Sequence, residues 1–354
     1  MKRKEFIKTA TGAAAVMALP TTAIGTTTLA TSCASAGEKK GPKRGVSLFS
    51  YTMEYMYRKT LEDLLEQIAD LAAPNQGYKM GVEILHGHVP NYPDPPTEWI
   101  DNWHKLVEKY NLFPAQFGTW TDSNRYFGRE STAEEELEAL IIDIKLANLL
   151  GFDRIRSRYA SASTNGVPAL QPGGGARFPW MTEALANAPQ QQGPSEPRLK
   201  TTWKEVMKAA LPYAEKYNVR LTEEFQWDIK AAQCAEMVEF IQKEDALPWY
   251  SINPDFAKFA NLNYSGTPKT PVSEPKDLIP VLPYCGILHA KCGDVDENCV
   301  DNSTPFPEII KILLDHKWDG YLITEYQGPK MFEGQSIHQV RRMTVELRRL
   351  LGEE

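Results

Sequence analysis

The stretch Val219-Arg220-Leu221-Thr222-Glu223-Glu224-Phe225 decides the fold of this chain. Val219–Glu224 is a short β-prone run that closes on an acid, and three more runs close on an acid or an imidazole: Trp249–Asp255, Cys285–His289 and Gly320–Glu325. Their closing residues Glu224, Asp255, His289 and Glu325 lie 31, 34 and 36 positions apart, each close to one strand-plus-helix unit. Residues that recur at the same point of successive βα units converge on one mouth of a barrel. Three oxygen donors and one nitrogen donor meeting there make a site for a divalent cation. Any one of them alone is an ordinary solvated strand end; four in phase are a pattern.

Working outward, strand and helix patterns alternate eight times. The expected strands are Gly45–Ser50, Met80–Leu85, Leu112–Phe117, Phe152–Ser157, Val219–Glu224, Trp249–Pro254, Cys285–His289 and Tyr321–Glu325. Between them, Thr60–Leu71 sets Leu61, Leu64, Leu65, Ile68 and Leu71 on one helical face, and Ala133–Leu150 repeats the pattern. Trp203–Tyr217 and Ile337–Leu351 continue the series. The pattern predicts an α/β fold, a single (β/α)8 TIM barrel over residues 45–354. An open doubly wound sheet is the rival, but no glycine-rich phosphate loop follows the first strand. Ser161–Pro197 interrupts the alternation with Gly, Pro, Gln and Ala. It follows the fourth strand, on the catalytic face of a barrel, and is either a surface insertion or a lid carrying Phe178 and Trp180.

The chain has 354 residues, 42% apolar and 24% charged, with a formal charge of −7. That acidity argues against a nucleic-acid partner, which needs a basic face. Residues 1–33 have the form of an export signal: a basic start, MKRKEFIK, then an Ala- and Thr-rich tract. Arg3-Lys4-Glu5-Phe6-Ile7-Lys8 resembles a twin-arginine signal with Lys4 for the second arginine, and a general secretory signal shares that outline. Ala30-Thr31-Ser32-Cys33 resembles a lipobox, making Cys33 the expected site of lipidation. Cleavage there leaves a mature charge of −10 and a linker over 34–44. The expected location is exported, periplasmic or membrane-anchored, with the membrane reached only through that lipid. Cys234, Cys285, Cys292 and Cys299 form no disulfide-rich framework and no C-x-x-C pair.

Within LTEE, Thr222 and Glu224 share one side of the strand and Leu221 and Glu223 the other. Leu221 suits the helix layer, so Glu224 faces the lumen. Alternation in His289-Ala290-Lys291 turns Lys291 to the side of His289. Glu83, Arg156, Lys258 and Lys291 are the expected substrate-binding residues, while Tyr51, Trp120 and Trp227 lie just beyond strand ends, where aromatic faces stack on sugars or pack the rim. His86 and His88 are general bases or loop histidines. Three carboxylates and an imidazole suit Mn²⁺, Mg²⁺, Co²⁺ or Zn²⁺. Such a cation can chelate vicinal sugar oxygens and stabilise an enediolate, and carboxylates beside it can move protons next to a carbonyl.

The runs VRLTEEF, INPDF, ILHAK and GYLITEYQG, with GVEILHGH at the second strand, resemble the xylose isomerase-like TIM-barrel superfamily of sugar phosphate isomerases/epimerases. The resemblance spans about Gly45 to the C-terminus. It implies that Glu224, Asp255, His289 and Glu325 bind one divalent metal ion, and that Glu224 and Glu325 act as acid and base on opposite faces of a carbohydrate. Ketose epimerases of this kind place a histidine where this chain has Lys258, and an arginine where it has Val295. Those departures, the Tyr51–Tyr57 loop and the export signal resemble members that cleave 3-keto-glycosides by elimination. The expectation is a metal-dependent sugar isomerase/epimerase-like enzyme working through an enediolate, with elimination as one outcome. A lipid-anchored sugar-binding module without turnover is the alternative, and a barrel endonuclease is disfavoured by the acidic charge.

Overall fold

The computed structural model describes residues 41–72, 79–119, 132–157, 202–262, 266–331 and 333–353. Cys33, Trp120, Phe178, Trp180 and the 161–197 insertion lie outside the described residues.

Eight strands form one sheet: β1 Lys43–Ser47, β2 Gly81–Leu85, β3 Phe113–Gly118, β4 Arg154–Ser157, β5 Arg220–Phe225, β6 Tyr250–Pro254, β7 Ile287–Cys292 and β8 Tyr321–Tyr326. Neighbours run β6-β5-β4-β3-β2-β1-β8-β7, all parallel, and a parallel bridge from Ile252 to Cys285 ties β6 to the start of β7. This is a (β/α)8 TIM barrel, with helices α1 Thr52–Tyr57, α2 Leu61–Ala69, α3 Thr97–Lys109, α4 Ala133–Leu149, α5 Trp203–Tyr217, α6 Ala232–Lys243, α7 Phe306–Asp315 and α8 Ser336–Leu350.

Local chemistry sets the boundaries. The first strand begins at Lys43, inside the stretch expected to be linker, and stops at Ser47 rather than Ser50. The Ser47 hydroxyl accepts the Phe49 N–H and starts a 3₁₀ turn over Leu48–Tyr51. Helix α2 opens on a capping box in which Thr60 and Asp63 satisfy each other's backbone N–H groups. Its Leu61, Leu64, Leu65 and Ile68 are buried against the sheet.

Side chains fill the barrel in layers. At its floor Phe113 packs edge-on to Tyr321, with the Arg154 guanidinium 3.7 Å from the Tyr321 ring centre. Ala115, Ile287 and Ile323 form the apolar layer with Tyr321. Gly81 makes this possible: a Cβ there would lie 2.6 Å from the Phe113 ring and 2.9 Å from the Ala115 methyl. Above this floor Glu83, Arg156, Glu224, His289, Lys291 and Glu325 face one another. The β2–β3 register carries one irregularity. Gly81 and Val82 pair with Phe113 and Pro114, but Glu83 pairs with Gln116, so Ala115 is an extra residue in β3. This β-bulge re-aims the rest of the strand.

Thr60→Ala removes the oxygen that accepts the Asp63 N–H. Chemical denaturation should show a loss of about 1 kcal/mol with an unchanged slope.

Candidate metal centre

Strand ends β5 to β8 bring Glu224, Asp255, His289 and Glu325 together inside the barrel, each at most 3% exposed. Period-2 alternation places Glu224 in the lumen and Glu223 against the helix layer, beside Tyr250. Asp255 stands one residue past β6 as the cap of a 3₁₀ turn, where its Oδ1 accepts the Ala257 N–H at 2.8 Å. His289 is fixed through its backbone, whose N–H donates to Asn253 Oδ1 at 3.0 Å.

Three more residues complete the cluster. Arg156 Nη1 lies 3.1 Å from Glu224 and 3.6 Å from Glu325, and its Nε 3.4 Å from Glu83. Lys291 Nζ lies 2.5 Å from Asp255, 3.2 Å from Glu325 and 3.3 Å from Glu224. Glu83 Oε2 is 3.3 Å from His289 Nε2. Gly118 leaves room for the guanidinium: a Cβ there would sit 3.1 Å from Arg156 Nη2 and 3.3 Å from Glu83 Oε1.

Burial and charge act against each other throughout. Burial pushes the Glu83 carboxyl up, but Arg156 and His289 outweigh it and hold it below the ordinary range. Burial opposes charge on His289 too, yet Glu83 and Glu224 lift it to about 10. Asp255 rises to about 6, chiefly by burial, with Lys291 opposing and Glu224 adding to the rise. Arg156 is raised by Glu83, Glu224, Glu325 and Asp255 despite its burial.

The donor set fits a divalent cation on three grounds. Two groups of ligand atoms come within 4.8 Å of one another, Glu224–Asp255–His289 and Glu83–His289–Glu325. Among the described residues Glu325 Oε2 also finds no hydrogen-bond donor, since His289 Nδ1 at 3.2 Å and Arg156 at 3.6 Å are not aligned for one. Four buried carboxylates face two fixed cations, Arg156 and Lys291, so a neutral His289 leaves an excess of two negative charges. A divalent ion matches that excess.

Of the expected substrate contacts, Arg156 and Lys291 join the cluster. Glu83 joins it as a fully buried counter-ion of Arg156 and His289. Lys258 does not. The 3₁₀ turn Phe256–Lys258 breaks the strand's alternation and swings its amine over the Phe225 ring, 3.7 Å from the centre. There the amine is fully buried and has no hydrogen-bond partner among the described residues. Tyr51 is core, Trp227 stacks on Phe225 at 4.8 Å, and His88 is a buried loop histidine whose Nδ1 accepts the Leu85 N–H. His86 packs against Tyr92. Sequence reasoning missed Gln116, which touches His289 from β3, and the rim amides Gln226 and Gln327. Gln226 and Gln327 donate to Asp255 at 3.2 Å and Glu325 at 2.7 Å. The proximity of Gln226 and Gln327 to the ligands in sequence was a usable signal; for Gln116 there was none.

With this geometry established, comparison with known proteins places the chain. Residues 77–347 match the model of the xylose isomerase-like TIM barrel family, and the chain belongs to that family. It is 25% identical over 351 residues to a C-glycoside deglycosidase alpha subunit of Arthrobacter globiformis, covering 88% of this chain and 93% of that protein. A 3'-dehydrocarminate deglycosidase alpha subunit of a Microbacterium species is 20% identical over 314 residues, covering 81% and 88%. Among solved structures, D-psicose 3-epimerase with D-tagatose from Clostridium cellulolyticum H10 superposes with a TM-score of 0.56 at 14% identity. That match covers 87% of this chain and 99% of the epimerase, and it shows a shared fold.

Burial depresses the Lys258 amine from an ordinary 10.5 to about 7. The folded state therefore bears an unfavourable charge in full below pH 7, and sheds that cost as pH rises from 7 toward 10.5. Lys258→Met should stabilise the protein by roughly 1–3 kcal/mol below pH 7, with the gain fading in alkali. Melting curves across pH 6–10 provide the measurement.

Proposed function

We propose that this chain is a metal-dependent enzyme that acts on a sugar or 3-keto-glycoside through an enediolate, with eliminative loss of an aglycone as its reaction. One observation carries the reading: Glu224, Asp255, His289 and Glu325 meet in one buried cluster at the C-terminal end of the barrel, where TIM-barrel chemistry is done. The likeness to two deglycosidase alpha subunits favours glycoside cleavage over simple epimerisation.

Glu224, Asp255, His289 and Glu325 would hold the divalent ion, Mn²⁺, Mg²⁺, Co²⁺ or Zn²⁺. When bound, it would polarise a substrate carbonyl and neutralise oxyanion charge. Glu224 and Glu325 are the acid–base pair. One carboxylate takes the proton from the carbon beside the carbonyl, and the electron pair moves to form the enediolate. The pair then returns to expel the aglycone from the neighbouring carbon, with the other carboxyl protonating the departing group. Reprotonation on the opposite face, without expulsion, is epimerisation. Arg156 and Glu83 hold the carboxylates in place from below, and Lys291 supplies a donor that a sugar hydroxyl can share. Gln226 and Gln327 restrict the rotation of Asp255 and Glu325. Burial of the cluster excludes water that would quench the carbanion.

The export reading belongs here as well: Cys33 is the proposed lipidation site, and a lipid there is the proposed route to the membrane. Cys33→Ser should release the protein from the membrane fraction; retention that still needs detergent counts against the anchor.

Two experiments test the chemistry. Glu224→Gln and His289→Ala should each lose most bound cation by elemental analysis, because each removes one of the four donors that would hold it. In deuterated water, a keto-glycoside should take up deuterium beside the carbonyl, and Glu325→Gln should stop it. Exchange with free aglycone means elimination, and exchange with the glycoside intact means epimerisation. Metal binding with neither exchange nor turnover across a panel of keto-glycosides and ketoses would support a sugar-binding module instead.

A further inference from the structure

The two ligand groups overlap at His289, and a neutral imidazole offers only one lone pair. Which ring nitrogen faces the cation therefore decides which carboxylates share it. Carboxylates flank both nitrogens: Nδ1 is 3.3 Å from Glu224 Oε1 and 3.2 Å from Glu325 Oε2, and Nε2 is 3.3 Å from Glu83 Oε2. A carboxylate can accept a proton or ligate a metal, so these contacts do not choose between them.

Arg156 and Gln116 break the tie. Arg156 Nη1, which can only donate, is hydrogen-bonded to His289 Nδ1 at 3.5 Å, so a neutral ring keeps its lone pair on Nδ1 and its proton on Nε2. There the Gln116 Oε1 accepts it at 3.2 Å, from a side chain that is fully buried. The β3 bulge is what brings this about. Strict alternation from the inward Phe113 and Ala115 would send residue 116 toward the helices, and the extra residue opposite Val82–Glu83 returns it to the lumen.

We propose that Gln116 is a positioning residue: its carbonyl holds the His289 proton on Nε2, so that Nδ1 is the nitrogen left to face a divalent cation beside Glu224, Asp255 and Glu325. This rests on the metal reading above and makes it specific. Glu83 becomes the outer counter-ion of the histidine rather than a ligand. A partner of this kind orients a ligating imidazole, and losing it typically weakens metal binding 10- to 100-fold.

The test uses Mn²⁺ affinity by chelator competition on the full chain. Gln116→Leu should raise the Mn²⁺ Kd by about 10- to 100-fold, while Gln116→Glu, which keeps an acceptor at Nε2, should stay within about threefold of the parent. A role in packing alone would leave the Leu variant within twofold, which would overturn the proposal. A second readout needs no variant: ¹⁵N-histidine spectra of the Zn²⁺-loaded parent should show His289 protonated on Nε2. A proton on Nδ1 in the loaded protein overturns this inference and leaves the metal reading standing. Failure of the parent to bind Mn²⁺ or Zn²⁺ overturns both.

Discussion

The site depends on one buried arginine. Arg156 stands on β4 among Glu83, Glu224 and Glu325, and all four side chains are at most 3% exposed. Each ion taken from water costs several kcal/mol unless a partner of opposite sign lies in good geometry. A guanidinium can face several carboxylates at once through separate N–H groups, whereas an ammonium is a point charge on a flexible stem. The cluster divides the work accordingly. Arg156 binds the carboxylates from below, where nothing needs to move, and Lys291 meets their outer oxygens.

The layers beneath explain why this arrangement holds. Phe113, Ala115, Ile287, Tyr321 and Ile323 close the barrel floor, so water cannot reach the carboxylates from the strand N-termini. The floor in turn needs Gly81, whose missing side chain admits the Phe113 ring. Gly118 does the same a layer higher, for Arg156 and Glu83. Small residues on two adjacent strands thus set the height at which the interior changes from apolar to charged. At the strand C-termini Gln226 and Gln327 touch Asp255 and Glu325.

Much of this was legible because two periods agree. The 3.6-residue pattern of α2 and the spacing of the strand-end acids and histidine both give one βα repeat, so the barrel and its four convergent residues follow together. Alternation within strands then correctly turned Glu224 inward and put Lys291 beside His289. The misses fall where alternation stops. A hydroxyl-led turn at Ser47 ended β1 early, the 3₁₀ turn after Asp255 carried Lys258 out of the cluster, and the bulge at Ala115 brought Gln116 in. None of these leaves a mark in hydrophobic periodicity, because each is a local break of one to three residues.

The same distinction separates what the fold determines from what this chain adds to it. Solved barrels at 12–14% identity share the architecture, and that architecture alone brings strands β5 to β8 to a common mouth. The chemistry belongs to side chains that irregularities place. Asp255 reaches the cluster one residue beyond its strand, held by the Ala257 N–H, and that same turn removes residue 258 from the lumen. The side chain at position 258 therefore lies outside the cluster, although the Asp255 charge still acts on its amine. Replacing a histidine by a lysine there, which looked in the sequence like a change of substrate contact, becomes in this chain a change in how the layer behind Phe225 is packed. The identity of the reaction has to be argued from Glu224, Asp255, His289 and Glu325 and the residues that orient them.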